Sequence, residues 1–574
     1  MHLPRRLFGL FLLMCAFGTT HAADMSKTLH VQIKKSETGI DPATASDFNT
    51  LSIIENVFDP LLRYDYLARP VKLQPNTLTA MPEVDASKTL YTFHIKPGIH
   101  FSADPAFGSK VRELTAADYV YSFNRLQDPA VKSPWRFIFD RKLAEMKATE
   151  RYTLQIRLKQ PDANFLFELA MPAASAVARE VIDAHPHDAG QHPVGTGPYL
   201  LKTWLHGEKI VLDANPDFRS TVFDGTPGDD ANDRVIAQSL VGRQLPLIGH
   251  IEIKVVEEQQ AQMLSFLSGQ FDYLEQIPPP LANMVLDEGN ALRPELAKKG
   301  MRLALFTPLH TYYTWMNMED PVLGGVTPAR IALRRAIAMA YNREEDIRVL
   351  EHGLALPAQS PIPPDARGYD PAYRAATVYD PALARALLER YGYRIRPGDT
   401  FRSQPDGKPL VLTMHTQAST TGRLRDEFWQ RSLNAIGIRV AFKADTYTEI
   451  IKASRLGQVQ MFETDWLGDI PDGENFLQLL YGPNRDGVNY SRFALAQYDR
   501  LFEESRKLED GPARTQLYRQ MSRLIDDYAP WVVRVHPLSA DLRQGWLENY
   551  KRHPVMLTNW RYLDLDLEQR RGAR

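Results

Sequence analysis

Cysteine is almost absent from this chain: its 574 residues include one, Cys15. A single thiol forms no intrachain disulfide, so stability has to come from buried apolar surface. Long apolar runs are just as scarce. The run Leu7–Gly18 is too short for a permanent membrane-spanning helix, and no other stretch reaches the roughly 18 apolar residues that one needs. An excess of one charge is missing too: 68 Lys and Arg against 70 Asp and Glu give a net charge of −2, which removes the electrostatic case for nucleic-acid binding. The motifs of common catalytic classes are lacking. There is no His-Glu-x-x-His, no Gly-x-Ser-x-Gly and no P-loop, so no enzymatic activity and no cofactor are expected. The many carboxylates could imitate a glycosidase pair, but no motif supports turnover.

One local absence says more. No Lys or Arg lies between Arg455 and Arg485. Within that gap Met461–Tyr481 (MFETDWLGDIPDGENFLQLLY) holds five acids, Glu463, Asp465, Asp469, Asp472 and Glu474, around Trp466. Gly468, Pro471 and Gly473 force turns. A solvated acidic turn is the ordinary reading of such a run. An aromatic plate beside unneutralised carboxylates could instead hold a cationic group.

What is present describes an exported globular protein. Arg5 and Arg6 precede the apolar run Leu7–Gly18, and Thr20-His21-Ala22 resembles a cleavage site. This reads as a signal peptide over 1–22, cut near Ala22, with periplasmic delivery. Met14 before Cys15 does not fit a lipoprotein signal, so Cys15 is expected to leave with the peptide. The chain is too long for one core and implies two or three domains. Its 44% hydrophobic and 24% charged residues are ordinary for a folded protein.

Periodicity places the elements. Leu29–Ile33, Leu90–Ile95 and Tyr152–Leu158 alternate as strands. Leu114–Leu126 reads as a helix with Thr115 and Asp118 as its capping pair. Gly195-Thr196-Gly197-Pro198 lacks the third glycine of a dinucleotide loop and reads as a tight strand entry. Ala214–Gly249, polar and rich in Gly and Asp, reads as a surface excursion. His185, His187 and His192, with Asp188, read as a polar surface loop; spacing fixes no fourth ligand, so no metal site is assigned. Thr327 and Asn342 cap two helices, and Asp380–Tyr391 is another helix. Leu410–Met414, Arg423–Ile436, Ile438–Phe442, Tyr447–Leu456 and Val459–Phe462 form β-α-β-α-β, which demands parallel strands. Open sheets of this kind bind ligands beyond the carboxyl ends of strands, where the Trp466 loop is expected.

In order, Tyr91–Gly98 with Leu114–Asp118, Gly195–Tyr199, Ala332–Asp346 (ALRRAIAMAYNREED), Tyr379–Leu388 (YDPALARALL), Trp466–Phe476, and Asn489–Ser491 with Tyr498–Leu501 resemble the family-five extracellular solute-binding proteins. These are the oligopeptide/dipeptide-binding type that serve ABC importers. The resemblance implies an α/β, bilobed periplasmic-binding-protein fold of the type II, large three-domain variety, with a ligand cleft between the lobes. It implies a first lobe over 23–303, with an extra subdomain at roughly 60–190, a second lobe over 304–536, and a return to the first over 537–574. The expected partners are a small peptide or other small solute, an ABC permease and its ATPase subunits; nucleic acid is not among them, and the protein is expected to be a monomer. In peptide binders of this family the acid three residues after the Trp receives the peptide's amino group; that position is Asp469. Trp466, Asp472, Phe48, Tyr312, Tyr313, His415, Arg423 and Tyr490 complete the expected ligand-binding set. Two departures stand out: Asp472-Gly473 replaces the family's Asp-Pro, and His415–Gly422 lacks the arginine that dipeptide binders carry there. A haem, a metal chelate or an oligosaccharide is the alternative solute. A chaperone using Phe306–Trp315 as an apolar surface is a further alternative.

Overall fold

The computed structural model describes residues 23–573. The apolar run, Cys15 and the expected cleavage site lie outside the described residues. Among the described residues no helix is long and apolar enough to cross a membrane.

The first strand, Asp24–Ile33, pairs in parallel with Ile248–Val255, which continues antiparallel to Lys209–Ala214 and then Tyr199–Leu205. Leu29 and Val31, Ile251 and Ile253, and Ile210 and Leu212 point to one core, as the period of two requires. Gly195 and Gly197 lead into this sheet because a side chain has no room there. A Cβ on Gly195 would sit 2.0 Å from the Val57 carbonyl oxygen. Trp546, Tyr550, Trp560 and Leu563, from the far end of the chain, fill the same core.

A second four-stranded sheet orders Glu83–Val84, Leu90–His94, Thr153–Leu158 and Leu143–Glu150. Helix Ala116–Gln127 covers it with Tyr119, Phe123 and Leu126. Its start is fixed by the expected capping box: Thr115 N–H donates to Asp118 Oδ2 at 2.7 Å.

Residues 214–249 depart from the surface reading. They contain helix Ala231–Leu240, whose Ile236 and Leu240 join Phe223, Leu245 and Leu247 in a core with Tyr66 and Tyr562. Arg219 is drawn inward by Asp59, at 2.7 Å.

Two sheets carry the crossings between halves. Arg302–Phe306 and Tyr273–Leu274 flank Ser539–Arg543 in a three-stranded sheet. His310–Met316 and Trp531–Pro537 lie side by side in a six-stranded sheet. Phe306 pairs with Ser539 on one side of the crossing and Tyr312 with Val535 on the other, so the two connections run adjacent. The six-stranded sheet continues through Met461–Leu467, Val411–Gln417 and Arg439–Asp445, the last three mutually parallel as expected. The helix after Val411–Gln417 begins at Thr420 rather than Arg423, because Ser419 Oγ caps it by accepting from Gly422 N–H at 2.9 Å. Strand Met461–Leu467 runs further than its apolar residues suggested. Its antiparallel pairing to His310–Met316 carries Asp465 and Trp466 as strand residues.

Candidate functional site

The acidic segment leaves its strand at Leu467 and turns sharply. Gly468 N–H donates to Leu309 O at 2.6 Å, and Gly473 N–H to Arg367 O at 2.9 Å, so both ends of the turn are pinned. Asn475 organises what lies between. Its Oδ1 accepts from the Trp466 indole N–H at 2.8 Å and from the Asp469 backbone N–H at 3.2 Å. Its Nδ2 donates to Asp469 Oδ2 at 3.4 Å. The indole and the Asp469 carboxylate are thereby fixed relative to each other.

Both line a cavity of about 370 Å³ between the two halves of the chain. One wall is Trp466, Asp469, Asn475, Tyr481 and Arg506; the other is Phe137, Lys142 and Glu168. Ile470, next to Asp469, is buried in the core of the second four-stranded sheet's unit. Charged bridges cross around the cavity. Arg506 lies 2.9 Å from Asp162 and 3.0 Å from Glu474. Asn164 Nδ2 donates to Glu474 Oε2 at 2.8 Å. Lys142 is held by Glu168 at 2.6 Å and by Asp162 at 3.0 Å. Lys142 and Arg506 are thus committed to these acids. Asp469 differs: among the described residues no Lys, Arg or His forms an ion pair with it, and its side chain's hydrogen bond comes from neutral Asn475. Burial pushes its carboxyl up to about 6, against the lowering effect of the Asn475 hydrogen bond.

A second cavity, about 290 Å³, opens at the carboxyl ends of Val411–Gln417 and Met461–Leu467. Tyr312 and His415 line it with Arg425, Asp426 and Asp465. His415 is buried and its Nδ1 has no hydrogen-bond partner among the described residues. Burial, reinforced by Lys443, lowers its pKa below the ordinary imidazole value. Arg425 is engaged by Glu463 and by Glu351 at 3.2 Å.

Several expected ligand residues sit elsewhere. Asp472 is 0% exposed; Arg514 contacts one carboxylate oxygen at 2.6 Å and the Tyr518 hydroxyl donates to the other at 2.6 Å. Its charge is spent within the second half, and it lines neither cavity. Tyr313 is 1% exposed and stacks on Trp531 at 3.9 Å between ring centroids, as a core residue. Strand alternation separates it from Tyr312. Trp315 is equally buried, so two of the four aromatics in the stretch proposed as a chaperone surface lie in the core, while Phe306 and Tyr312 are half-buried. Phe48 opens helix Phe48–Val57, 41% exposed, and lines neither cavity. Arg423 is exposed on the first turn of its helix, outside both. Tyr490 is half-buried 6.2 Å from the Trp315 ring and also lines neither. Lys142, Glu168, Asn475 and Arg506 line the cavity without having been expected. Asn475 lies inside the matched Trp466–Phe476 stretch; the other three carried no sequence signal.

A model of the bacterial extracellular solute-binding proteins, family 5, matches residues 72–487. This chain belongs to that family. The family 5 protein is 26% identical over 593 residues to di/tripeptide-binding protein 2 of Pseudomonas aeruginosa (strain UCBPP-PA14), covering 98% of this chain and 100% of the relative. Its fold is that of the ABC transporter-associated periplasmic binding protein DppA from Helicobacter pylori, solved with the peptide STSA. That match has a TM-score of 0.73 at 22% identity, over 94% of this chain and 98% of the other. NikA from Brucella suis, solved with Fe(III)-EDTA, superposes with a TM-score of 0.75 at 18% identity, over 94% of this chain and 100% of the other. The bilobed α/β architecture of the family 5 protein is therefore as its sequence led one to expect.

Proposed function

We propose that this family 5 protein captures peptides in the periplasm for an ABC permease and its ATPase subunits, with Asp469 receiving the ligand's amino group. One observation carries the reading: Asp469 is a desolvated carboxylate with no cationic partner among the described residues, fixed beside Trp466 in the cavity between the lobes. An ionised carboxylate pays heavily for burial unless a cation joins it. An ammonium supplies the missing charge and a charge-assisted hydrogen bond, worth roughly 1.5–3 kcal/mol net. The family relative named for di- and tripeptides supports the same ligand class. Binding and release, with no chemical step, complete the role. Mass spectrometry of ligand co-purified from the native periplasm is expected to return short peptides with free amino termini. Recovery of haem, a metal chelate or an oligosaccharide alone would overturn this assignment.

The two lobes divide near residues 306–310 and 537–539 in this proposal, and the protein acts as a monomer that closes by bending there. The adjacent crossing strands supply the hinge, and a ligand touching both cavity walls favours the closed arrangement. Small-angle scattering should show a smaller radius of gyration with saturating peptide than without it. An unchanged radius argues against closure on the ligand.

Export is proposed to remove the segment ending near Ala22. Amino-terminal sequencing of protein from the periplasm should begin at about Ala23. An acylated Cys15 at the start of the mature chain would show instead that the protein is lipid-anchored.

A further inference from the structure

Away from the cavity, the loop after helix Arg179–Ala184 brings His185, Asp188 and His192 together. One potential ligand atom from each lies within 4.8 Å of the others. His185 Nδ1 is 3.7 Å from Asp188 Oδ1, and His192 Nε2 is 3.4 Å from Asp188 Oδ2. Both separations exceed the 2.7–3.2 Å or so of a proper hydrogen bond. They are close to the spacing of two donors sharing one ion. Ligands about 2.0–2.1 Å from a tetrahedral ion stand about 3.3 Å apart. The two imidazoles face each other with centroids 3.4 Å apart and planes 15° from parallel. Small rotations of the two rings from this stacked arrangement would bring one nitrogen of each toward a cation shared with the Asp188 carboxylate.

The loop's backbone is anchored. His185 N–H donates to Val181 O at 3.0 Å, Gln191 N–H to Asp188 O at 2.7 Å, and His192 N–H to Ala189 O at 3.0 Å. Ile40 N–H donates to Gly190 O at 2.8 Å and ties the loop to the segment beneath it. A Cβ on Gly190 would meet Gly39 Cα at 2.9 Å, so the loop needs glycine to lie this close. His192 also lines a small crevice with Ile40, Asp41 and Pro42. Ligands at i, i+3 and i+7 are thus held by a fixed turn, while the exposed side of Asp188 leaves room for water as a fourth ligand.

We propose that His185, Asp188 and His192 form a binding site for a borderline-soft divalent transition-metal ion of the Zn²⁺ type. Two imidazoles and one carboxylate suit such an ion better than Ca²⁺ or Mg²⁺, which want oxygen ligands. The site shares no residue with the interlobe cavity, so metal and peptide bind independently.

The test uses full-length mature protein, without a polyhistidine tag and stripped with chelator. Calorimetric titration with Zn²⁺ should show one equivalent bound, and Co²⁺ should give the visible absorption of a four-coordinate N/O site. His185→Gln and His192→Gln should each weaken Zn²⁺ binding at least tenfold and abolish the Co²⁺ spectrum, with unchanged circular dichroism and peptide affinity. His187→Gln, on the exposed neighbour between them, should change neither. Absence of stoichiometric Zn²⁺ binding to the wild type overturns the proposal, as does binding that survives in the His185→Gln, His192→Gln double variant. The wild-type titration decides the matter even if a variant folds poorly.

Discussion

Replacing Asp469 by Asn is expected to weaken binding of a free-amine peptide by roughly 2–4 kcal/mol, about thirtyfold to nearly a thousandfold, with the fold intact. The substitution keeps the shape and removes a cavity-wall charge that has no cationic partner among the described residues. Calorimetry with a free-amine peptide and its N-acetyl analogue separates charge from packing. Wild type should prefer the free amine, and Asp469→Asn should largely erase the preference. Trp466→Ala should weaken both ligands by lost contact and leave their ratio alone. Equal binding of the two ligands by wild type, or an unchanged ratio in Asp469→Asn, would remove Asp469 as the amine receptor.

The same carboxyl fixes a pH dependence. Burial raises it to about 6 in the unliganded protein, and an ammonium pairs with its ionised form. Affinity should therefore be full above pH 6 and fall as pH drops through that value, a trend Asp469→Asn should flatten. Its effect on the stability of the unliganded fold has the opposite sign. A raised folded-state pKa favours folding most below the ordinary aspartate range, and that contribution is lost as pH rises through 6.

The second large effect expected is on stability, from Arg534→Ala. Arg534 is fully buried in the six-stranded sheet. Its Nη2 lies 2.8 Å from Asp346, its Nη1 2.6 Å from Glu463, and its Nε donates to the Tyr341 hydroxyl at 2.6 Å. Removing it strands the Asp346 carboxylate in the interior; Glu463 keeps Arg425 and the Trp429 indole N–H. An uncompensated buried charge of this kind costs about 3–5 kcal/mol. The urea midpoint of the second lobe should fall accordingly, while the ratio of free-amine to N-acetyl affinity stays at the wild-type value. A loss below about 1 kcal/mol would mean that water or rearranged neighbours satisfy Asp346, and that the network is not needed for the fold.

The elements that sequence reading placed well are those with local causes. Thr327, Asn342 and Asp380 each cap a helix with their own side chains, accepting from N–H groups two or three residues on. The parallel β-α-β-α-β series follows from hydrophobic periods within a single stretch. What escaped depends on partners far along the chain. Asp472 and Asp469 are three residues apart and equally acidic on paper. Arg514, 42 residues beyond Asp472, neutralises the first, and among the described residues no such partner reaches the second. Lys142 and Glu168 could not be assigned to the site because the wall they form meets the other across contacts such as Asn164 with Glu474, separated by 310 positions. Glu463 and Asp465 looked like loop acids. Arg425 and Arg534 neutralise Glu463, His310 bonds Asp465 at 2.6 Å, and pairing to His310–Met316 makes both strand residues. The polar stretch 214–249 misled for a related reason: Ile236, Leu240 and Phe223 are few and scattered, and become a core only when Tyr66 and Tyr562 complete it.

The core around the first strand, Asp24–Ile33, and the three-stranded sheet beside it are closed by the end of the chain. Ser539–Arg543 is the middle strand of that three-stranded sheet, and Trp546, Tyr550, Trp560 and Leu563 fill the core. The half that leaves the ribosome first therefore cannot be finished until the last forty or so residues arrive, whereas the second lobe's six strands are all available once Pro537 has emerged. During synthesis the early half waits with open apolar surface. Under the export proposed above, that delay would keep the polypeptide threadable during its passage across a membrane.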